Sequence, residues 1–436
     1  MTSTIHPVGS PANSLVPHMS KFDSTANRGN NRHRMLSLEE AIERSLTAAP
    51  RLGSESIQVV NAEGRFANVD VAAGVSLPGF DNSSMDGYAV RSFDLRDASA
   101  GTTVKLTCTG MIPAGTVPTE TIVEGTCMRI FTGSPLPPDS DAVIMQEDCR
   151  TTSDSENTIF CNDSVKPWEN VRLKGEDICN GSPVLASGTR ITAGAIGLLA
   201  ATGNNQIEVG CRPRIGFVAT GSELAEPPGK LKSGEIFESN RAMLASMAKK
   251  SNARPTLYPI VPDSLDSTVT ALERAFAEND AVITSGGVSV GDHDHVKPAI
   301  EQLGGSLNFW RVDVKPGKPF VLGQIDGKPL FGLPGNPVSA LVTFLLMVRP
   351  ALLAMQGAGK LCLAKRPGRL AEVLANGGDR RHFVRVTIDD EGLVTGTAGQ
   401  GSHMLGSLAR ANGLLDMPPK SRLAKGSKVG VILIDQ

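Results

Sequence analysis

"DAVITSGGVSVGDHDHVKPAIEQL", residues 280–303, decides how the chain is organised. The apolar run "AVIT" ends at a serine and two glycines. A polar loop with two aspartates and two histidines follows, and then a segment with helical spacing. That order reads as buried strand, loop and helix. It recurs on both sides. "RIGFVAT" (214–220) precedes the helical "ESNRAMLASMAKK" (238–250). "PTLYPIV" (255–261) precedes "SLDSTVTALERAFAE" (264–278), and "PFVLGQI" and "PLFGL" precede "NPVSALVTFLLMVRPAL" (336–352). Such alternation predicts an α/β domain over 212–358, with a mostly parallel sheet covered by helices on both faces.

The texture differs outside this block. At the N-terminal side, Ser37 and Glu40 form a capping-box pattern before an apolar stripe at Leu38, Ala41, Ile42 and Leu46. "GSPVLASGTRITAGAIGLLAATG" (181–203) reads as a strand and helix returning to the same unit. This predicts a discontinuous mixed α/β domain of 36–75 and 178–211. Between them, "VKLTCTG", "TCMRIFTG", "DAVIMQED" and "NTIFC" are short strands divided by turns, an inserted β-rich domain at 76–177. "RHFVRVTID", "GLVTGTA" and "KGSKVGVILID" predict a small, barrel-like β-domain at 359–436. Residues 1–35 are polar and read as a disordered tail without a signal-peptide core.

Composition excludes several function classes. Of the 436 residues, 40% are hydrophobic, enough for several buried cores. Aromatics make up 4%, which argues against a base-stacking surface, and the net charge of -2 offers no basic field for nucleic acid or anionic lipid. The seven cysteines contain no C-x-x-C pair, as expected of reduced thiols in a cytoplasm. The apolar run 338–348 is expected to be a buried helix, too short to span a bilayer.

In an open α/β sheet, ligands sit beyond the carboxyl ends of the strands. Three glycine-bearing loops are expected there: Thr220-Gly221-Ser222 with Glu223; Ser285-Gly286-Gly287 with Ser289 and Gly291; and Pro334-Gly335-Asn336-Pro337 with Ser339. Glycine turns at helix N-termini gather N–H donors suited to phosphate; each alone is equally well a tight turn. Asp263, Asp292, Asp294 and Glu223 follow these strands. Carboxylates beside phosphates suit Mg2+. Asp292 is alternatively a helix cap, and His293 with His295 lacks a third metal ligand. Lys315 and Lys318 straddle a Pro-Gly turn in "VKPGKPF", either an oxyanion pair or a solvated basic turn. Arg385, Ser402 and His403 are further polar candidates. In the β-rich insertion, "SLPGFDNSSMDGYAV" (76–90) crowds polar groups, Asp86 among them, beyond what a hairpin needs. Thr132 and Asp177 sit in loops of similar texture.

Taken together, "LPGFDNSSMDGYAV", "RIFTGSPLPPDSDAVIMQED", "GEDI", "TGSEL", "TSGGVSVGDHD", "KPGKPF", "GLPGNPVSA" and "QGSHML" resemble the molybdopterin molybdenumtransferases, the MoeA-like and gephyrin E-domain family. The resemblance runs co-linearly from about residue 36 onward. It implies an elongated homodimer that inserts molybdate into adenylylated molybdopterin and releases AMP with Mg2+. It also implies exchange with a molybdopterin adenylyltransferase and with molybdoenzyme acceptors or chaperones, without nucleic acid or membrane. Asp294, Asp263 and Glu223 would be metal or adenylate-side acids. Asp86, Thr132 and Asp177 would act across the dimer interface. Lys315, Lys318, Ser339, Arg385 and Ser402 would position molybdate. Arg311 and His382 depart from the family pattern, at positions where some relatives carry lysine and where an acid often precedes the phenylalanine. Adenylyl transfer by the α/β core and a non-catalytic scaffold are the alternatives.

Overall fold

The computed structural model describes residues 35–152, 155–287 and 295–434. Residues 1–34 of the expected tail and the loop residues Ser289, Gly291, Asp292, His293 and Asp294 lie outside the described residues, whereas Met35, expected in the tail, is the first residue of a strand.

The central layer is built from β1 (Met35–Leu36), α1 (Leu38–Ala48), β2 (Arg214–Ala219), α2 (Asn240–Lys250), β3 (Arg254–Leu257), α3 (Leu265–Glu278), β4 (Ala281–Ser285), α4 (Val296–Gln302), β5 (Ser306–Val312), β6 (Pro319–Ile325), β7 (Lys328–Leu333) and α5 (Pro337–Met355). The sheet order is β1-β5-β6-β7-β4-β2-β3. β7, β4, β2 and β3 are mutually parallel, as expected, whereas β6 runs antiparallel to both neighbours. The cause is local. Asp326 (φ 49°) and Gly327 (φ 77°) make a two-residue turn with both residues left-handed, the geometry that folds β6 and β7 into a hairpin. Strands β1 and β5 were not among the expected strands and enlarge the sheet.

Alternation along the strands feeds two cores. Ile215, Phe217, Ala281 and Ile283 face α1, α2 and α5, while Val218, Val282, Leu272 and Phe276 pack on the other side with α4. Ser37 caps α1 by accepting the Glu40 N–H at 3.1 Å. Helix α5 corrects the expected length: it runs 19 residues, long and apolar enough by composition to cross a membrane. Of its most apolar 18-residue stretch, 89% is buried, as in a core helix.

Ser54–Gln58 pairs with Gln206–Gly210, and Val71–Ala72 pairs with Pro183–Leu185. Strands between 87 and 161 form a six-stranded sheet around Val90, Leu106, Ile144 and Ile159. In the C-terminal region, Arg381–Ile388, designated β8, pairs with Val314–Lys315, Leu393–Gly396 and Gly413–Met417, and this closes a small barrel. The barrel is not separate from the sheet. Phe383, Leu408, Ala411, Leu414, Ile432 and Ile434 belong to the same core as α1, α2 and α5.

Candidate functional site

In β2, β4 and β7 the parallel register sets Ala219, Ser285 and Leu333 side by side. The three glycine loops therefore leave the sheet as neighbours. Their contact is close. Gly286 (φ 87°) donates its N–H to the Leu333 carbonyl at 3.2 Å. A Cβ there would lie 3.0 Å from the Thr220 carbonyl oxygen, so glycine is required by both space and φ. A Cβ on Gly335 would in turn sit 4.0 Å from the Gly286 Cα.

Asp263 accepts the Ser222 N–H at 2.8 Å and fixes the first loop. Glu223 is exposed beside it. Two carboxylates on one loop contact suit Mg2+ together with phosphate oxygens. Among the described residues, no group of three or more acidic, histidine or cysteine side chains is arranged to hold a metal.

Pro337 opens α5 at its first turn, and Asn336 precedes it without a side-chain cap. The Val338 N–H is satisfied instead by the Ser402 carbonyl, at 3.1 Å. The loop 399–403 of the C-terminal barrel is thereby seated on the start of α5. Arg385 lies behind it, fully buried. Its guanidinium donates to Ser407 Oγ (3.0 Å) and to the carbonyls of Gly399 (2.7 Å) and Gly401 (3.1 Å). Nη1 has no partner, and burial holds the guanidinium below its ordinary pKa. Arg381, by contrast, is taken up by Asp416 and Glu39.

Lys315 and Lys318 are exposed on a turn against the same helix. Gly317 (φ 106°) packs so tightly there that a Cβ would meet Thr343 Oγ1 at 2.5 Å, and Thr343 Oγ1 donates to the Ser339 carbonyl. Lys315 pairs in register with His382. His382 is buried, and its Nε2 is unpartnered. Desolvation first, then the charges of Lys315, Arg385 and Arg380, push its pKa down to about 4. The unfolded value is near 6.5, so the unfolded chain binds the proton more readily between pH 6.5 and about 4. The contribution of His382 to stability is therefore expected to be complete above that window and to be lost as pH drops through it. Urea midpoints measured across this range should show the loss in the native protein and a flatter profile in His382→Gln. Parallel profiles would remove His382 as the cause.

Asp86 and Thr132 come together: Asp86 Oδ1 accepts from the Thr132 N–H (2.8 Å) and hydroxyl (2.9 Å), which lowers its pKa. Asp177 donates its N–H to the Leu77 carbonyl. No described hydrogen bond or ion pair joins these three to the glycine loops within one chain.

Sequence reasoning passed over Asn240 and Arg241. Arg241 is buried and holds Glu238 and Glu226, fastening the segment after the first loop. Asn240 Nδ2 donates to Ser285 Oγ and to the Gly335 carbonyl, both at 2.7 Å. The available signal was a polar pair in the first turn of a helix whose later residues face a core.

Comparison with known proteins identifies the family of the chain. Family models match in three consecutive stretches: the MoeA N-terminal region (domain I and II) at 36–203, a probable molybdopterin binding domain at 216–354, and the MoeA C-terminal region (domain IV) at 367–434. The chain is 34% identical over 387 residues to the molybdopterin molybdenumtransferase of Haemophilus influenzae, covering 87% of this chain and 93% of that one. It is 34% identical over 405 residues to the enzyme of the same name from Staphylococcus epidermidis, covering 92% and 96%. A crystal structure of the molybdopterin biosynthesis MoeA protein from Pyrococcus horikoshii superposes with a TM-score of 0.80 at 29% identity, over 92% of this chain and 100% of that one. With three stretches in order and such coverage, the chain belongs to the MoeA family of molybdopterin molybdenumtransferases, transferases of molybdenum cofactor biosynthesis.

Proposed function

We propose that the protein takes molybdate and adenylylated molybdopterin and forms the molybdenum cofactor, releasing AMP. The observation that carries this reading is the seating of Ser402 on the start of α5, beside the third glycine loop, with Arg385 holding Gly401 of the same loop as Ser402 from behind. One helix end thus adjoins both an N–H cradle for phosphate and a buried cation without a carboxylate partner. Molybdate is a tetrahedral dianion, and Lys315, Lys318, Arg385, Ser339 and Ser402 supply donors suited to it. The loops 220–222, 285–287 and 334–337 suit the nucleotide, with Ser289 and Gly291 continuing the second. Asp263, Glu223 and Asp294 would hold Mg2+, which would neutralise phosphate charge as AMP leaves. The dithiolene thiols ligate molybdenum and displace molybdate oxygen as water, and a water molecule cleaves the phosphoanhydride to release AMP, so neither step needs an enzyme nucleophile.

In this reading the protein works in the cytoplasm as a homodimer, and Asp86, Thr132 and Asp177 act on the partner's loops. A molybdopterin adenylyltransferase supplies the substrate, and molybdoenzyme acceptors or chaperones take the product. The test is AMP release from adenylylated molybdopterin by the purified protein with Mg2+, with and without molybdate. Release that depends on molybdate is expected. Tight nucleotide binding with no release under any divalent ion would defeat the proposal in favour of a scaffold.

A further inference from the structure

Asn240 opens α2 and is 7% exposed. Its amide could be oriented either way in principle, but the Gly335 carbonyl can only accept, so Nδ2 must face it. The second Nδ2 hydrogen then goes to Ser285 Oγ, and the serine oxygen is the acceptor in that bond. The Ser285 hydroxyl hydrogen is left over, at the exit of β4 and directly before Gly286-Gly287. Among the described residues nothing accepts it. Asn240 Oδ1 is buried without a partner, a cost the fold carries in holding this orientation.

We infer that Asn240 is a positioning residue for the nucleotide: it latches the second glycine loop to the third and makes Ser285 a hydrogen-bond donor to an anionic oxygen. The inference rests on the nucleotide cradle proposed above. Both amide hydrogens are needed for it. A carboxylate at 240 would repel the Gly335 carbonyl and reverse the Ser285 bond, consuming the hydrogen meant for the ligand. A shortened side chain would release the latch and leave the hydroxyl free to rotate.

The experiment compares the native protein with Asn240→Asp, Asn240→Ala, Ser285→Ala and the double variant Asn240→Asp/Ser285→Ala. AMP with Mg2+ is the calorimetric probe, and the AMP-release assay gives the kinetics. Asn240→Asp should weaken AMP binding about tenfold or more, and Asn240→Ala should weaken it less. In the Ser285→Ala background, Asn240→Asp should cost markedly less than in the native protein, because the hydroxyl it misdirects is gone. In turnover, KM for adenylylated molybdopterin should rise while half-saturation by molybdate stays in place. Additive losses in the double variant, or equal loss toward both substrates, would reduce Asn240 to a structural role and overturn the inference. Native protein that binds no AMP would defeat the cradle itself, whereas native binding with unchanged Asn240 variants would defeat only the role of Asn240.

Discussion

Arg385→Met is expected to raise the molybdate concentration for half-maximal AMP release about 10- to 100-fold, the range set by losing one charge-assisted contact to a dianion. The expectation follows from how the arginine is kept. It is fully buried, its three described partners are neutral, and Nη1 is unpartnered. Taking a guanidinium out of water costs several kcal/mol, and here no carboxylate offsets it. In the proposed function the charge of molybdate offsets this buried cation. Removing the charge relieves that cost, while the Gly399 and Gly401 carbonyls lose their donor. The two changes oppose, and the fold should survive. Arg385→Lys restores charge without the fork and should recover part of the affinity. The measurement is initial AMP release against molybdate concentration, with KM for adenylylated molybdopterin determined alongside. An unchanged molybdate dependence would take Arg385 out of the oxyanion site.

The largest stability loss is expected at Gly210, where the chain leaves the antiparallel strand pair 54–58/206–210 for β2. A Cβ there would land 1.9 Å from the Gln356 carbonyl oxygen and 2.7 Å from its carbonyl carbon. The Gln356 backbone follows directly on α5, and its side-chain amide is held by the Ser251 and Leu352 carbonyls. Neither side has room to move. Gly210→Ala should cost about 3 kcal/mol or more. Gly53→Ala is the control: Gly53 has nothing within 4 Å of its Cβ, although its carbonyl accepts the Cys211 N–H next to Gly210. Denaturant midpoints should separate the two variants clearly; equal midpoints would show that the crowding relaxes freely.

The strand–loop–helix rhythm of 214–352 was legible because buried parallel strands must be continuously apolar and their loops must carry glycine. The loops at 220, 286 and 335 could be named as neighbours because only the strand order remained to be supplied. Strand β5 was not legible: "SLNFWRV" mixes polar and apolar residues, and its place is decided by β1 and β6 on either side. The hairpin β6–β7 was written in Asp326-Gly327, yet the α/β rhythm around it favoured a parallel reading. Arg385 looked like one basic residue among several. Its isolation from acids depends on contacts 14 to 22 positions away, which no local pattern encodes. Asn240 was missed for a related reason: its two partners lie 45 and 95 positions along the chain.

The core shared by α1, α2, α5 and the C-terminal barrel has a consequence for how the chain is made. Synthesis produces α5, 19 largely apolar residues, well before Phe383, Leu408, Leu414 and Ile432 that help cover it. Until residues 383–434 have emerged from the ribosome, this helix has part of its cover missing and the Val338 N–H has no Ser402 carbonyl to receive it. The α/β layer therefore lacks part of its core until the C-terminal barrel has been made. The nascent chain passes through an interval in which its most hydrophobic segment is open to capture by a chaperone, and premature termination between 356 and 383 would leave it so permanently.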